Sequence, residues 1–222
     1  MSEQNILNGA LPQIKSGSPS KKFYLMNFKS PSTAGIDEAG RGCLAGPVFA
    51  SAVIWPVGLK VEGLTDSKKL NFKKRASLRK KLEKILPKEC WAVGSSSPKE
   101  IDKLNILQAT FLAMHRAIDK LGMEPHLLLI DGNQFKPYGN IPHRCEIKGD
   151  SRFQAISAAS IFAKTSRDEF MIKAHEKLPE YGWDKNKGYP SLGHKLALME
   201  FGASELHRKS FKWKNPQQEF DF

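Results

Sequence analysis

Cysteine is scarce in this chain. Its three thiols, Cys43, Cys90 and Cys145, stand far apart and form no C-x-x-C pair. That excludes a dense disulfide framework and predicts reduced thiols in a cytoplasmic protein. The six histidines fall into no H-E-x-x-H or paired Cys/His spacing, so a zinc site is not expected. No apolar run is long enough to span a bilayer. The opening Met1-Ser2-Glu3-Gln4-Asn5 lacks the basic-then-apolar layout of a secretory signal, and no membrane partner is expected. There is no internal repeat. Acidic residues are the scarcer charge: 23 Asp and Glu stand against 35 Lys and Arg, a net charge of +12. A chain this basic attracts polyanions and speeds their encounter.

With 222 residues, 40% of them hydrophobic, the chain can build one substantial domain with a small helical appendage. Residues 1–32 read as a flexible tail, because Ser16-Gly17-Ser18-Pro19-Ser20-Lys21-Lys22 is polar, basic and turn-rich; a short strand is allowed at residues 23–28. The main domain is expected over 33–190, and a helical C-terminal extension with its tail over 191–222. Strands are expected from Ala34 into Asp37, over residues 48–55 and 90–95, at Leu127-Leu128-Leu129-Ile130, and over 143–148. The wholly apolar run at 127–130 has the composition of a central strand buried on both faces. Helices are expected over 71–86, after the capping box Ser97-Pro98-Lys99-Glu100, over 105–121 with Gly122 as terminator, over 153–178 with the small-residue centre Ala155-Ile156-Ser157-Ala158-Ala159-Ser160, and over 191–202. This order predicts an α/β fold, a mixed central sheet flanked by helices.

The acids have a common setting. Asp37-Glu38 lies where a strand runs into Ala39-Gly40-Arg41-Gly42. Asp131 ends the apolar strand and precedes Gly132. Asp150 follows Lys148-Gly149. Taken singly, each is a turn by default. Together they place four carboxylates at strand ends, where α/β sheets hold their ligands. Carboxylates converging there repel one another and need divalent cations or shifted pKa values to coexist. Oxygen donors of this kind suit Mg2+ or Mn2+, which hydrolyse phosphodiesters in pairs. Asp168 is a tempting fifth acid, but its place on a helix after Arg167 predicts a surface ion pair.

The segment Gly35-Ile36-Asp37-Glu38-Ala39-Gly40-Arg41-Gly42-Cys43-Leu44-Ala45-Gly46-Pro47-Val48 resembles the opening signature of the ribonuclease HII family. Asp66-Ser67-Lys68-Lys69-Leu70, Leu129-Ile130-Asp131-Gly132-Asn133, Lys148-Gly149-Asp150-Ser151 with residues 156–168, and His207-Arg208-Lys209-Ser210-Phe211 resemble its later blocks, in family order. The resemblance covers roughly residues 33–214. It implies a ribonuclease H-like fold and a metal-dependent endoribonuclease. It also implies cleavage of RNA in RNA–DNA hybrids and incision 5′ of single ribonucleotides in duplex DNA. Asp37, Glu38, Asp131 and Asp150 fall on the family's catalytic, metal-binding acids. Gly40-Arg41-Gly42 falls on the segment that contacts the ribonucleotide and its 2′-hydroxyl. Tyr189, in Lys187-Gly188-Tyr189-Pro190, falls on the tyrosine that packs on the sugar at the RNA–DNA junction.

Other residues suit contacts with the nucleic-acid backbone. Ser67, Lys68, Lys69 and Lys148 are expected to hold phosphates, and the alternating basic and aromatic residues 207–214 suit duplex backbone. Cys43 and Phe162 depart from the family pattern, with no expected bearing on the chemistry. The end Gln217-Gln218-Glu219-Phe220-Asp221-Phe222 faintly resembles a sliding-clamp peptide; otherwise a monomer is expected. Three other readings compete: a ribonuclease HIII-like nuclease without junction specificity, a nuclease acting on DNA, and a non-catalytic hybrid-binding module. The tail is too short to be the extra substrate-binding domain of ribonuclease HIII.

Overall fold

Strand β1, Thr33–Ala39, occupies the centre of a five-stranded sheet in the computed structural model, which describes residues 32–64, 67 and 70–213. The sheet is completed by β2 (Val48–Trp55), β3 (Trp91–Ser96), β4 (Leu127–Asp131) and β5 (His143–Glu146) in the order β3-β2-β1-β4-β5. β2 runs antiparallel to both β1 and β3, whereas β4 is parallel to both β1 and β5. The mixed sheet expected from the sequence is therefore present. The expectations at residues 1–31, Asp66, Lys68, Lys69 and 214–222, among them the strand at 23–28 and the clamp-like end, lie outside the described residues.

Helices cover both faces. On one face, Ala34, Ile36, Val48, Ala50, Ile54, Leu128 and Ile130 pack with Phe111, Ala113, Met114 and Ala117 of α3. Here α1 is Phe72–Ile85, α2 is Pro98–Leu104 and α3 is Ile106–Asp119. The capping box at Ser97 forms as read: Glu100 accepts from the Ser97 backbone N–H at 2.8 Å, and the Glu100 N–H donates to the Ser97 hydroxyl at 3.3 Å. Arg116 of α3 grips the same carboxylate at 2.6 and 3.0 Å and holds it down to about 2. One helix end differs. α3 stops at Asp119, and Gly122 lies in the following turn, where its N–H donates to the Glu89 carbonyl at 2.9 Å.

On the other face lies α4, Gln154–Lys177, with its small-residue run against β1 and β2. Ala158, Ala159, Ile161 and Phe162 share a cluster with Val53 and with Leu82 of α1. Contact is closest at Gly35, where a Cβ would lie 2.2 Å from the Ala155 carbonyl carbon and 2.4 Å from the Ile156 nitrogen. Only glycine lets a helix backbone sit this near a strand. The far end of α4 packs with the short α5 (Trp183–Asn186) and with α6 (Leu192–Phe201) around Tyr181, Trp183 and Met171, a cluster that also takes in Leu44 and Ala45. Among the described residues, no helix is long and apolar enough to cross a membrane.

The close approach makes a prediction. Gly35→Ala forces α4 away from β1, and the stability loss expected in urea unfolding is roughly 2–3 kcal/mol. A variant of unchanged stability would show that the helix can shift without cost.

Candidate active site

The β1–β4 register pairs Ile36 with Ile130, so Asp37 and Asp131 occupy the next position on adjacent parallel strands. The third acid arrives from beyond β5. Lys148 takes a left-handed conformation (φ 55°) and turns the chain into the short 3-10 turn Gly149–Ser151. The Gly149 N–H then donates to the Asp131 carboxylate at 2.8 Å. One carboxylate oxygen from each of Asp37, Asp131 and Asp150 lies within 4.8 Å of the others. Asp37 and Asp150 are buried and Asp131 is half-buried.

This crowding has an electrostatic consequence. Burial, then the charges of Glu38 and Asp131, push the Asp37 carboxyl well above the usual carboxylate range, against hydrogen bonds from the Ser160 hydroxyl and the Glu38 backbone N–H. An all-oxygen set of buried, mutually repelling acids fits a hard divalent cation. Glu38 is not one of the trio. Its carboxylate accepts from the Arg41 guanidinium at 3.2 Å and lines an adjoining cleft.

That cleft, about 190 Å³, is lined by Glu38, Ala39, Gly40, Arg41, Gly42, Ser67, Ser160, Lys164 and Tyr189. Of the residues singled out in the sequence it gathers Glu38, Gly40, Arg41, Gly42, Ser67 and Tyr189. Ser160 connects it to the acids, bonding both Asp37 and the Ser67 hydroxyl, the latter at 2.8 Å. Tyr189 is 41% exposed, with the Lys164 ammonium and the Arg167 guanidinium each 5.7 Å from its ring centre. Lys148 is exposed beside Gly149 and lies outside the lining.

Behind the cleft stands a frame that sequence reasoning missed. Arg208, expected to meet duplex backbone, is buried instead; its guanidinium donates to the carbonyls of Gly40 (2.7 Å), Arg41 (2.8 Å) and Gly46 (2.9 Å). Arg167, with no exposed surface, donates to those of Ala45 (3.1 Å), Pro47 (3.2 Å) and Lys187 (2.8 Å). A Cβ on Gly40 would lie 1.9 Å from Arg167 Nε, and Gly40 has φ 94°. That loop position therefore requires glycine for two separate reasons.

Two further residues correct the sequence reading. Asp168 does form ion pairs, with Lys164 at 2.5 Å and Arg75 at 3.6 Å, but it is buried between α4 and α1 and does not lie on a helix surface. Lys164 is accordingly held and not merely solvated. Burial pushes the Cys43 thiol pKa up, against the nearby charges of Arg167 and Arg208. The signal for these errors was absent locally, since a basic or acidic residue beside others of its kind reads as surface.

A family model described as Ribonuclease HII matches residues 34–214. A ribonuclease HII of Christiangramia forsetii is 50% identical over 200 residues, covering 89% of this chain and all of that protein. One of Bacteroides thetaiotaomicron is 55% identical over 178 residues, covering 80% of this chain and 88% of that protein. Among solved structures, a PCNA:RNase HII complex from Archaeoglobus fulgidus aligns with a TM-score of 0.68 at 25% identity, covering 82% of this chain and 96% of that one.

Removing one charge from the trio should stabilise the metal-free protein. Asp37→Asn is expected to add about 1 kcal/mol, or ~2–4 °C in Tm, in the presence of a chelator, and to lose the Tm gain that Mg2+ or Mn2+ gives the wild type. Thermal scans with and without metal check both halves; a lower Tm in chelator would contradict the repulsion described.

Proposed function

The chain belongs to the ribonuclease HII family and is a metal-dependent endoribonuclease; from that premise we propose that it cleaves RNA in RNA–DNA hybrids and incises 5′ of single ribonucleotides embedded in duplex DNA. The reading of specificity is carried by one observation: the cleft that holds Gly40, Arg41, Gly42 and Tyr189 shares Glu38 and Ser160 with the surroundings of Asp37. A device for reading one sugar adjoins a device for hydrolysing one phosphate.

In this proposal Asp37, Asp131 and Asp150, with Glu38 at the margin, hold two divalent ions, Mg2+ or Mn2+. Bound there, the ions supply positive charge to the scissile phosphate and lower the pKa of the attacking water. The chain's own residues do the rest. The backbone of Gly40–Arg41–Gly42 has no Cβ at either glycine and approaches the 2′-hydroxyl, the one group that separates RNA from DNA at a single nucleotide. The Tyr189 ring faces the next sugar, where a second 2′-hydroxyl would crowd it. Lys148, Ser67 and the neighbouring Lys68 and Lys69 are proposed to contact flanking phosphates. Departure of O3′ leaves a 3′-hydroxyl on one product and a 5′-phosphate on the ribonucleotide.

Two variants test this. Asp131→Asn is expected to lower cleavage by at least about a thousandfold in either metal with the fold intact by circular dichroism; near-normal turnover by a folded variant sinks the metal-site assignment. Tyr189→Ala is expected to impair incision at a lone ribonucleotide about tenfold more than cleavage of a continuous hybrid. Equal losses on the two substrates would remove the tyrosine from the junction role, and an all-DNA duplex serves as the control for a DNA nuclease.

A further inference from the structure

The backbone of Tyr189 is tied down by a chain of two imidazoles. His194, fully buried on α6, has Nδ1 2.9 Å from the Tyr189 carbonyl oxygen. Its Nε2 lies 3.0 Å from His207 Nε2 and receives the Trp183 indole N–H at 3.1 Å. His207, also buried, has Nδ1 2.9 Å from the backbone nitrogen of Ser204.

These partners fix every proton. The Ser204 N–H can only donate, so His207 Nδ1 is an acceptor and its proton sits on Nε2. That Nε2–H donates to His194 Nε2, which also accepts from Trp183 and therefore carries no proton. The His194 proton must then be on Nδ1, where it donates to the Tyr189 carbonyl. Both rings are neutral in this arrangement, and burial pushes both below the usual imidazole range, His207 to about 4. Tyr181 closes the pocket, its ring centre 4.7 Å from that of His207 and 4.9 Å from that of Trp183.

The chain ends beside the other half of the cleft. His207 precedes Arg208, which holds the Gly40 and Arg41 carbonyls, and Ala45 and His207 form an isolated β-bridge. Leu44 N–H donates to the Gly188 carbonyl at 2.8 Å. Consecutive residues thus fasten the glycine loop and the tyrosine loop to one segment. We propose that His194 and His207 are positioning residues for substrate selection: their directed hydrogen-bond chain sets the Tyr189 backbone against the Gly40–Arg41–Gly42 loop without either ring touching the substrate. The inference rests on the junction reading proposed above.

Two substitutions at His194 separate positioning from packing. Asparagine places an amide where Nδ1 was, keeping the donor to Tyr189 but losing Trp183 and His207. Glutamine reaches the Nε2 position, keeping those two partners but losing Tyr189. A purely structural histidine would favour glutamine over asparagine in every readout. Positioning makes the orders differ: asparagine should melt lower than glutamine yet keep the ratio of kcat/KM for a single-ribonucleotide duplex over a continuous hybrid within about twofold of wild type, while glutamine lowers that ratio about tenfold. Selectivity that follows thermal stability, or a ratio unchanged in glutamine, overturns the proposal. If His194→Gln does not fold, His207→Asn removes the imidazole against which His194 Nε2 is held, while the Trp183 indole still fixes the His194 tautomer, and should lower the same ratio; an unchanged ratio overturns the proposal there too. Tyr189→Ala is measured alongside. If it is selective and the His194 and His207 variants are not, the relay alone is wrong; if it is unselective, the junction reading fails and takes the relay with it.

Discussion

The site depends on one contact, the seating of α4 on β1 at Gly35, where the missing Cβ lets the helix backbone meet the strand. This approach brings Ser160 within hydrogen-bonding reach of Asp37 and Ser67, and it brings the start of the helix, just after Asp150, alongside Asp131. Asp37 and Asp131, neighbours on adjacent strands, are joined by Asp150 from the turn that leads into α4, and the missing Cβ at Gly35 lets that helix lie close to the sheet. A larger residue there would not merely loosen a core contact. It would separate the groups whose convergence is the basis of the chemistry.

Convergence of this kind is unfavourable on its own terms. The protein holds buried negative charge at the acids and, a few residues away, buried positive charge in Arg167 and Arg208. The two arginines are not chiefly ion-paired. They donate to backbone carbonyls of Gly40, Arg41, Ala45, Gly46, Pro47 and Lys187. A guanidinium has five donors in a rigid fork, which suits it to collecting several carbonyls at fixed spacing. The outline of the loop beside the acids is therefore held by hydrogen bonds to two buried guanidinium groups.

The sheet and the three aspartates were legible in the sequence because both obey local rules. The apolar run at Leu127–Ile130 announces a buried strand, and the acids beside glycine, each a turn when taken singly, gain their meaning from the ribonuclease HII motifs that carry them. What was not legible depended on long-range partners. Arg208 sits in a basic, aromatic stretch and reads as a backbone-contacting surface, yet its partners are more than 160 positions away in the chain. Asp168 reads as a helix-surface charge until α1 brings Arg75 against it. Periodicity reports which face of an element is apolar; it carries no information on which buried polar group completes which other.

Selection and hydrolysis consequently make different demands on the chain. On the proposed function hydrolysis needs charge, supplied by carboxylates that would hold the metal beside the reacting phosphate. Selection at a single 2′-hydroxyl needs distance, because the difference between a permitted and a crowded sugar is one oxygen atom. Distance is supplied by backbone, and backbone is held by buried donors with fixed protons: two arginines that remain charged and two histidines whose tautomers are set by their neighbours. If the proposed selection holds, a substitution among these donors keeps every group assigned to the nucleic acid and still alters which nucleic acid is cut.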